Sequence, residues 1–393
     1  MHIGIIANEF PPDFGGMQEH AAGVVANLAR SHRVTAVVPP GGGIDLAGVA
    51  VVDRLASQME PNRRLLRSLP VDAWLALNAG LAVYAGSLHA PLFAYVHGND
   101  FLSPWLPKPP HLVGRARNGL SRLPAARPFV TSLGTRWRQR LIGQGLRAAL
   151  HVFANSGYTR RRCIASFGLP ETSVEVVPPG IDARHLRRME RRESNRLRVL
   201  TVARLARSNS RKNVEGVIRA VALLKDGLPV DATIVGSGDD RERLEALAAD
   251  LGLGGRVRFA GRVDADRLRD LYGEADVFVL PVRPSDTDVE GFGMVYIEAA
   301  AAGLPSIATA SGGIPEAVRD GETGILLPDH TPEAVAAGLR RFAAERAAFR
   351  PEALRAFAES CLSDRTTDRL KARIEELTAR HAAAQGTRAR LSA

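Results

Sequence analysis

The chain has 393 residues, with 52 Lys and Arg against 42 Asp and Glu, a formal net charge of +10, and 45% hydrophobic residues. That length suits two globular domains with separate cores, and the positive balance points to an anionic partner: nucleic acid, an acidic membrane surface or a phosphorylated substrate. Cys163 and Cys361 stand far apart with no C-x-x-C spacing, which excludes a disulfide framework and a cysteine zinc site and suits a reducing cytoplasm.

Met1-His2 runs into the apolar stretch Ile3–Ala7 with no basic leader, so no secretory signal is expected. Ile3–Ala7 has the pattern of a buried parallel strand. The turn Pro11–Gly16 follows, then an apolar-periodic segment to about Arg30 and a second strand over Val34–Val38. Strand, Gly-rich turn and helix in that order mark a doubly wound unit, although Gly15-Gly16 is not the dinucleotide fingerprint. Ala73–Val96 contains no Asp, Glu, Lys or Arg and imitates a membrane span, but Asn78, Gly80, Gly86, Ser87, His89 and Pro91 interrupt it. It reads as strand Ala73–Leu77, helix Gly80–Leu88 and strand Pro91–Val96. His97, in the turn His97-Gly98-Asn99-Asp100, then stands at the C-terminal end of a strand, where open α/β sheets bind ligands. The alternative for a lone histidine there is a hydrogen-bonded structural residue.

From Phe101 to Pro170 there is no acidic residue, whereas Lys108, Arg115, Arg117, Arg122, Arg127, Arg136, Arg138, Arg140, Arg147 and Arg160–Arg162 all fall in it, with Trp105 and Trp137 interleaved. Such a mixture suits an anionic bilayer surface; the alternative is a solvated arginine-rich face. No nucleic-acid module accompanies the charge. Ser156 is the expected N-cap of the helix after strand His151–Ala154, and Arg184–Arg198 reads as a linker. Arg198–Ala203 opens a second strand series, with Arg204 at its end and Lys212 eight residues later at a helix start. Strands with glycine turns follow at Asp231–Gly238 and Val257–Val263, then Ala275–Pro281, Ser306–Thr309 and Gly324–Pro328. The last periodic helix starts near Asp364 and runs to about Gln385.

Ala275–Pro281 feeds the run Glu290-Gly291-Phe292-Gly293-Met294-Val295-Tyr296-Ile297-Glu298. Gly291 and Gly293 let the backbone approach a ligand closely, and a helix N-terminus offers unpaired N–H groups and positive potential to a phosphate. Along a helix axis the two carboxylates would lie up to roughly 12 Å apart, about the span between the hydroxyls of a sugar and those of a ribose across a diphosphate. The alternative is an amphipathic helix with two solvated glutamates. Asp286-Thr287-Asp288 has the D-x-D form of a metal–diphosphate motif. Gly236-Ser237-Gly238 lacks the spacing of a nucleophile elbow, and no G-K-[ST] phosphate loop occurs.

The spacing E-G-x-G-x-x-x-x-E, from Glu290 to Glu298, resembles the donor-site motif of the retaining glycosyltransferases of the GT-B fold, family 4. The longer run Asp288–Glu298 is most similar to the branch that mannosylates phosphatidylinositol. This resemblance, with landmarks from Gly15 to Gly324, implies an α/β protein of two Rossmann-like doubly wound domains facing across a cleft. It places the acceptor-side domain at 1–183, a linker at 184–197, the donor domain at 198–364, and a helix over 365–393 packing back toward the first domain. It implies that Glu290 holds hexose hydroxyls and Glu298 the ribose, within a donor site that includes Gly291, Phe292, Gly293, Met294, Val295 and Gly236, with Val263 against the nucleobase. Arg204 and Lys212, with Arg211 beside it, would clamp the diphosphate, whose negative charge grows in the transition state. The family's gap between those cations is shorter, so Ala206–Arg211 looks like an insertion. Gly15 and Gly16 would cover the donor phosphates, Gln18 and Asp100 would lie on the acceptor side, and His97 would line the sugar pocket.

The activity so implied moves a hexose to a hydroxyl of a cell-envelope lipid, lipid-linked sugar or polysaccharide precursor. Mannose from GDP-mannose is favoured, a UDP-sugar is the second choice, and neither a metal nor another cofactor is expected. The expected place is the cytoplasm, peripheral on the inner face of the membrane, with nucleic acid not an expected partner. Alternatives are a sugar-nucleotide epimerase or phosphorylase on the same fold, and a membrane- or nucleic-acid-binding protein with a degenerate site.

Overall fold

The computed structural model describes residues 1–12, 15–108, 127–186 and 194–391. Arg115, Arg117 and Arg122 of the basic segment and residues 187–193 of the expected linker lie outside the described residues, as does the side chain of Arg127. The chain divides into two compact units, Met1–Gly180 with Ser363–Ala393, and Ile181–Leu362.

The first unit is built on strands β1 (His2–Ile6), β2 (Arg33–Val37), β3 (Val49–Val52), β4 (Ala73–Ala76), β5 (Leu92–Val96), β6 (His151–Ala154) and β7 (Val174–Val176), all parallel and ordered β3-β2-β1-β4-β5-β6-β7. Helices cover both faces of such a sheet, which is why β4 and β5 are apolar at every position instead of alternating. Ile3 and Ile5 pack on one face with Val24, Val25 and Leu28 of helix Gly16–Ala29 and with Leu370 and Ile374 of the terminal helix, while Ile6 packs on the other with Trp74, Tyr84 and Phe101. Gly4 is required between them, since a Cβ there would collide with the Trp74 ring.

Residues Ala79–Ser87 form a 3-10 helix where the apolar run suggests an α-helix. Its entry is set by Asn78, whose side chain accepts from Gly80 N at 2.8 Å. Ser156 caps helix Gly157–Phe167, accepting from Thr159 N at 3.0 Å. The terminal helix, Ser363–Leu391, runs past Gly386 and packs on helix Gly16–Ala29, tied at one end by Arg30 to Asp364 at 2.8 Å.

The second unit repeats the plan with β8 (Leu197–Val202), β9 (Val230–Val235), β10 (Val257–Gly261), β11 (Val277–Leu280), β12 (Ser306–Thr309) and β13 (Gly324–Leu327), parallel and ordered β10-β9-β8-β11-β12-β13. Numbered within the unit, that is the 3-2-1-4-5-6 order of a dinucleotide-binding sheet, and the first unit has the same order with one strand added. In such sheets the chain reverses direction of travel between the first and fourth strands, and ligands sit at the carboxyl ends there. For these units the reversal lies between β1 and β4, and between β8 and β11. Among the described residues no helix is long and apolar enough to cross a membrane.

Candidate active site

Four loops leave the carboxyl edge of the second sheet near its reversal point. The one after β8 carries Arg204, exposed at the strand end, and then winds into a 3-10 helix over Arg207–Lys212. This helix is the segment that the sequence marks as an insertion. It ends on Asn213, whose positive φ of 55° is tolerated because the side chain is fully used: Nδ2 donates to Pro281 O at 3.0 Å and His330 O at 2.8 Å, and Oδ1 accepts from Arg283 Nε at 3.0 Å. Arg283 N donates to Arg211 O at 2.7 Å. The insertion is thus stitched to the loop after β11.

That stitching brings four charges together. Glu290 Oε2 accepts from Lys212 Nζ at 2.5 Å and from Arg211 Nη1 at 3.2 Å, and Arg211 Nε lies 2.6 Å from Asp288 Oδ1. Glu290, Arg211 and Lys212 are each only 14–16% exposed at the side chain, so the pairing is strong by comparison with surface ion pairs. Burial pushes the Glu290 carboxyl upward, but the charges of Lys212 and Arg211 outweigh it and hold the group below the usual carboxylate range. Arg204 and Lys212 line one cavity. Among the described residues no group of three or more His, Cys, Asp or Glu is placed to hold a metal ion.

Glu290 does not lie on a helix, contrary to the sequence expectation. The helix begins at Met294 and ends at Ala301, with Gly293 as its N-cap at φ 96°; a Cβ on Gly293 would meet the Tyr296 ring at 2.5 Å. The loop before it is fixed from the other side by Gly312 and Gly313. Gly313 N donates to Glu290 O at 2.8 Å, and Gly312, at φ 61°, leaves room for that carbonyl, which a Cβ would approach to 2.5 Å. The sequence signal for these positions is the pair Gly312-Gly313 after β12.

Glu298 lies one turn into the helix. It is 6% exposed, and its Oε2 accepts from the phenol of Tyr272 at 3.0 Å. Burial pushes the Glu298 carboxyl above its usual range, with the Tyr272 hydrogen bond opposing. Neither glutamate is therefore a solvated surface charge. Phe292 is 4% exposed with its ring in the core, whereas Met294, Val295 and Val263 are half-buried. Gly236, between β9 and helix Arg241–Asp250, has φ 136°, and a Cβ on it would collide with the Ala203 carbonyl.

In the first unit, Gly15, Gly16 and Gln18 follow β1, and His97 and Asp100 follow β5, at the same carboxyl edge. Gln18 folds back over Gly15, with its Oε1 2.5 Å from where a Cβ would stand. Asp100 anchors the turn: its Oδ1 accepts from His97 N at 3.0 Å and its Oδ2 from Ala79 N at 2.8 Å. His97 Nε2 lies 3.3 Å from Leu77 O. A carbonyl can only accept, so Nε2 carries the proton and Nδ1 is left as the acceptor. Burial lowers the His97 pKa, with Asp100 opposing. The ring packs against Tyr95 at 5.0 Å and edge-on against His20 at 5.6 Å. His20, on helix Gly16–Ala29, is a neighbour that sequence reasoning missed because nothing in its spacing separates it from a core residue.

Two parallel units of the dinucleotide-binding order, each with its candidate residues at the carboxyl edge, define the architecture of a GT-B glycosyltransferase. The chain matches Glycosyltransferase Family 4 over residues 14–185 and Glycosyl transferases group 1 over residues 183–359. It is 32% identical over 364 residues to the GDP-mannose-dependent alpha-(1-6)-phosphatidylinositol monomannoside mannosyltransferase of Mycobacterium tuberculosis, covering 84% of this chain and 86% of that one. Among solved structures it is similar to Anabaena Alr3699/HepE in complex with UDP and glucose (TM-score 0.70, 19% identity, 95% and 99% of the two chains). It is also similar to sucrose-phosphate synthase of Thermosynechococcus elongatus (TM-score 0.72, 19% identity, 96% and 99%). The chain belongs to glycosyltransferase family 4.

Proposed function

We propose that this glycosyltransferase moves a mannosyl group from GDP-mannose, with retention and without a metal, to a hydroxyl of a phosphoinositide-type or other lipid-linked acceptor. The observation that carries this reading is the buried cluster of Glu290, Lys212 and Arg211, eight residues before a second buried carboxylate, in a chain whose mycobacterial relative bears that activity in its name. Glu290 is an acceptor-only group and suits hexose hydroxyls; Glu298 suits the ribose. Lys212 has three N–H donors and can hold Glu290 with one while the others meet the β-phosphate. Arg204 and the N–H groups opening the Met294–Ala301 helix add positive potential where the leaving diphosphate gains charge.

In the reaction proposed, the bond from the hexose C1 to the phosphate oxygen breaks as the acceptor oxygen bonds C1 on the same face. The acceptor proton passes to the departing phosphate oxygen. No separate general base is needed, and in the first unit His97, with Nδ1 free to accept, suits a sugar hydroxyl. The lipid side of the proposal draws on Trp105 and Trp137, 39% and 37% exposed, beside exposed Arg136 and Arg140, a mixture that suits peripheral attachment at the inner face of the cytoplasmic membrane.

Thermal stabilisation by a panel of GDP- and UDP-sugars, followed by product analysis with the favoured donor and inositol-lipid acceptors, tests the reading. Strong stabilisation by UDP-glucose with none by GDP-mannose would overturn the choice of donor. A β-anomeric product from an α-linked donor would overturn retention.

A further inference from the structure

We infer that Tyr272 is a positioning residue of the donor site, holding one oxygen of the Glu298 carboxylate so that the other is aimed at the ribose hydroxyls of a nucleoside diphosphate. This rests on the donor-site reading given under Proposed function. Tyr272 comes from helix Ala265–Glu274, which precedes β11, and is 1% exposed. Its ring lies 5.9 Å from that of Phe278 in β11, so the position of the hydroxyl is set by the core and does not depend on a bound ligand.

The hydroxyl has one proton to give. Val295 O is 3.5 Å away and Glu298 Oε2 is 3.0 Å away, so the carboxylate is the better acceptor in both distance and charge. Among the described residues nothing donates to the other oxygen, Oε1. The side chain is 6% exposed, and Oε1 keeps acceptor capacity that a ligand hydroxyl can use. A ribose edge, with two adjacent hydroxyls, is a donor of suitable shape. With Oε2 fixed, the carboxylate plane cannot rotate freely, and Oε1 is pre-aimed. Without the phenol, Glu298 must be ordered by the nucleotide itself, at a loss of affinity.

A tyrosine kept only for packing would be replaced by phenylalanine without consequence for ribose recognition, and this separates the two roles. The full chain is titrated calorimetrically with GDP and with 2′,3′-dideoxy-GDP, with the UDP pair run in parallel and the base that binds tighter used. Wild type is expected to prefer the ribonucleotide by about tenfold. Tyr272→Phe should lower that preference to about twofold or threefold, leaving affinity for the dideoxy nucleotide near wild type. Glu298→Ala should abolish the preference. A Tyr272→Phe protein that keeps the full preference while Glu298→Ala loses it overturns the inference and leaves the donor-site reading standing. Equal weakening of both nucleotides by Tyr272→Phe also overturns it, since the ring would then act only through packing. If Glu298→Ala keeps the preference, or neither base binds wild type, it is the donor-site reading that fails.

Discussion

Lys212 and Glu290, 78 positions apart in the chain, meet Nζ to Oε2 at 2.5 Å. The lysine keeps the buried carboxylate ionised and leaves two N–H donors for a phosphate. Lys212→Met should therefore cut kcat on the order of a hundredfold or more, comparable to removing one preorganised donor from a site where charge develops. It should also move the acid limb of the pH–rate profile. The wild-type carboxyl is held below the usual range, so its ionisation, and the stability that brings, is present above the unfolded carboxylate value. That stability is lost only as pH falls through the depressed folded value. In the mutant the loss should begin at higher pH. An acid limb that does not move would mean that Arg211 alone sets the ionisation of Glu290.

Gly312 holds the site from behind. At φ 61°, with a Cβ position 2.5 Å from the Glu290 carbonyl, alanine faces both an unfavourable backbone region and a clash. Gly312→Ala should destabilise the protein by about 1–3 kcal/mol and lower activity further by displacing Glu290. Denaturant titration beside steady-state kinetics checks both. A fully active, fully stable variant would show that the loop has another place to go.

The buried histidines of the first unit make a prediction about acid. Burial, then the neighbouring His97, lowers the His20 pKa from 6.5 to about 3, and burial, then Arg373, lowers that of His151 from 6.5 to about 4. The unfolded chain takes up these protons at higher pH than the folded one. The stability from keeping the rings neutral is therefore complete above about 6.5 and is lost as pH falls from there toward 3–4, at ~1 kcal/mol per pH unit per ring. Denaturant midpoints between pH 7.5 and 4.5 should fall less steeply for His20→Phe than for wild type. Equal slopes would mean that His20 titrates in the native protein as it does in the unfolded chain.

These effects divide into those visible in the sequence and those not. The continuous apolar runs of β1, β4, β5 and β11 announce two parallel sheets because only strands buried on both faces can be apolar throughout. The edge strand β3 is apolar throughout as well, but a run of four residues is too short to separate a strand from a helix or loop segment. Helix Met59–Ser68 has no clear signal either, since its buried face uses Asn62, fully buried and bonded to Ala56 N at 2.7 Å and Tyr84 OH at 2.9 Å, where a periodicity argument looks for an apolar residue. At the site, the charged and glycine residues are legible as a motif, but their partners are not. Arg211 with Asp288, Glu290 with Gly313, and Glu298 with Tyr272 are each joined through the sheet order, which only the fold supplies. The same absence of a fold put Glu290 on the helix axis in the sequence reading.

Asp288, the second carboxylate of the D-x-D sequence, is engaged by Arg211 at 2.6 Å. Protein cations thus face the carboxylates of this loop, and the proposed chemistry draws its diphosphate neutralisation from Arg204, Lys212 and the helix N-terminus. Turnover of a sugar nucleotide should accordingly persist in excess EDTA. Loss of turnover, with recovery on adding manganese or magnesium, would make Asp286 and Asp288 metal ligands and remove the metal-free reading.

The last prediction concerns the surface that carries Trp105 and Trp137. Both indoles are exposed in a chain region without acidic residues, and Arg136 and Arg140 are exposed beside Trp137 on helix Arg127–Ala148. Each basic residue close to an anionic leaflet contributes about 1 kcal/mol, and an exposed indole adds the interfacial preference of an amphipathic ring. Arg136→Glu with Arg140→Glu should therefore reduce co-sedimentation with vesicles containing anionic lipid, and Trp105→Ser with Trp137→Ser should reduce it further. Raised salt should mimic the charge reversals but not the tryptophan changes, because screening acts on the charges alone. Turnover of a short water-soluble acceptor analogue should stay near wild type in both double variants, whereas turnover of a vesicle-borne acceptor should fall with binding. If wild type ignores anionic vesicles at low salt, the arginines are a solvated face, and a soluble acceptor becomes the better choice for this enzyme.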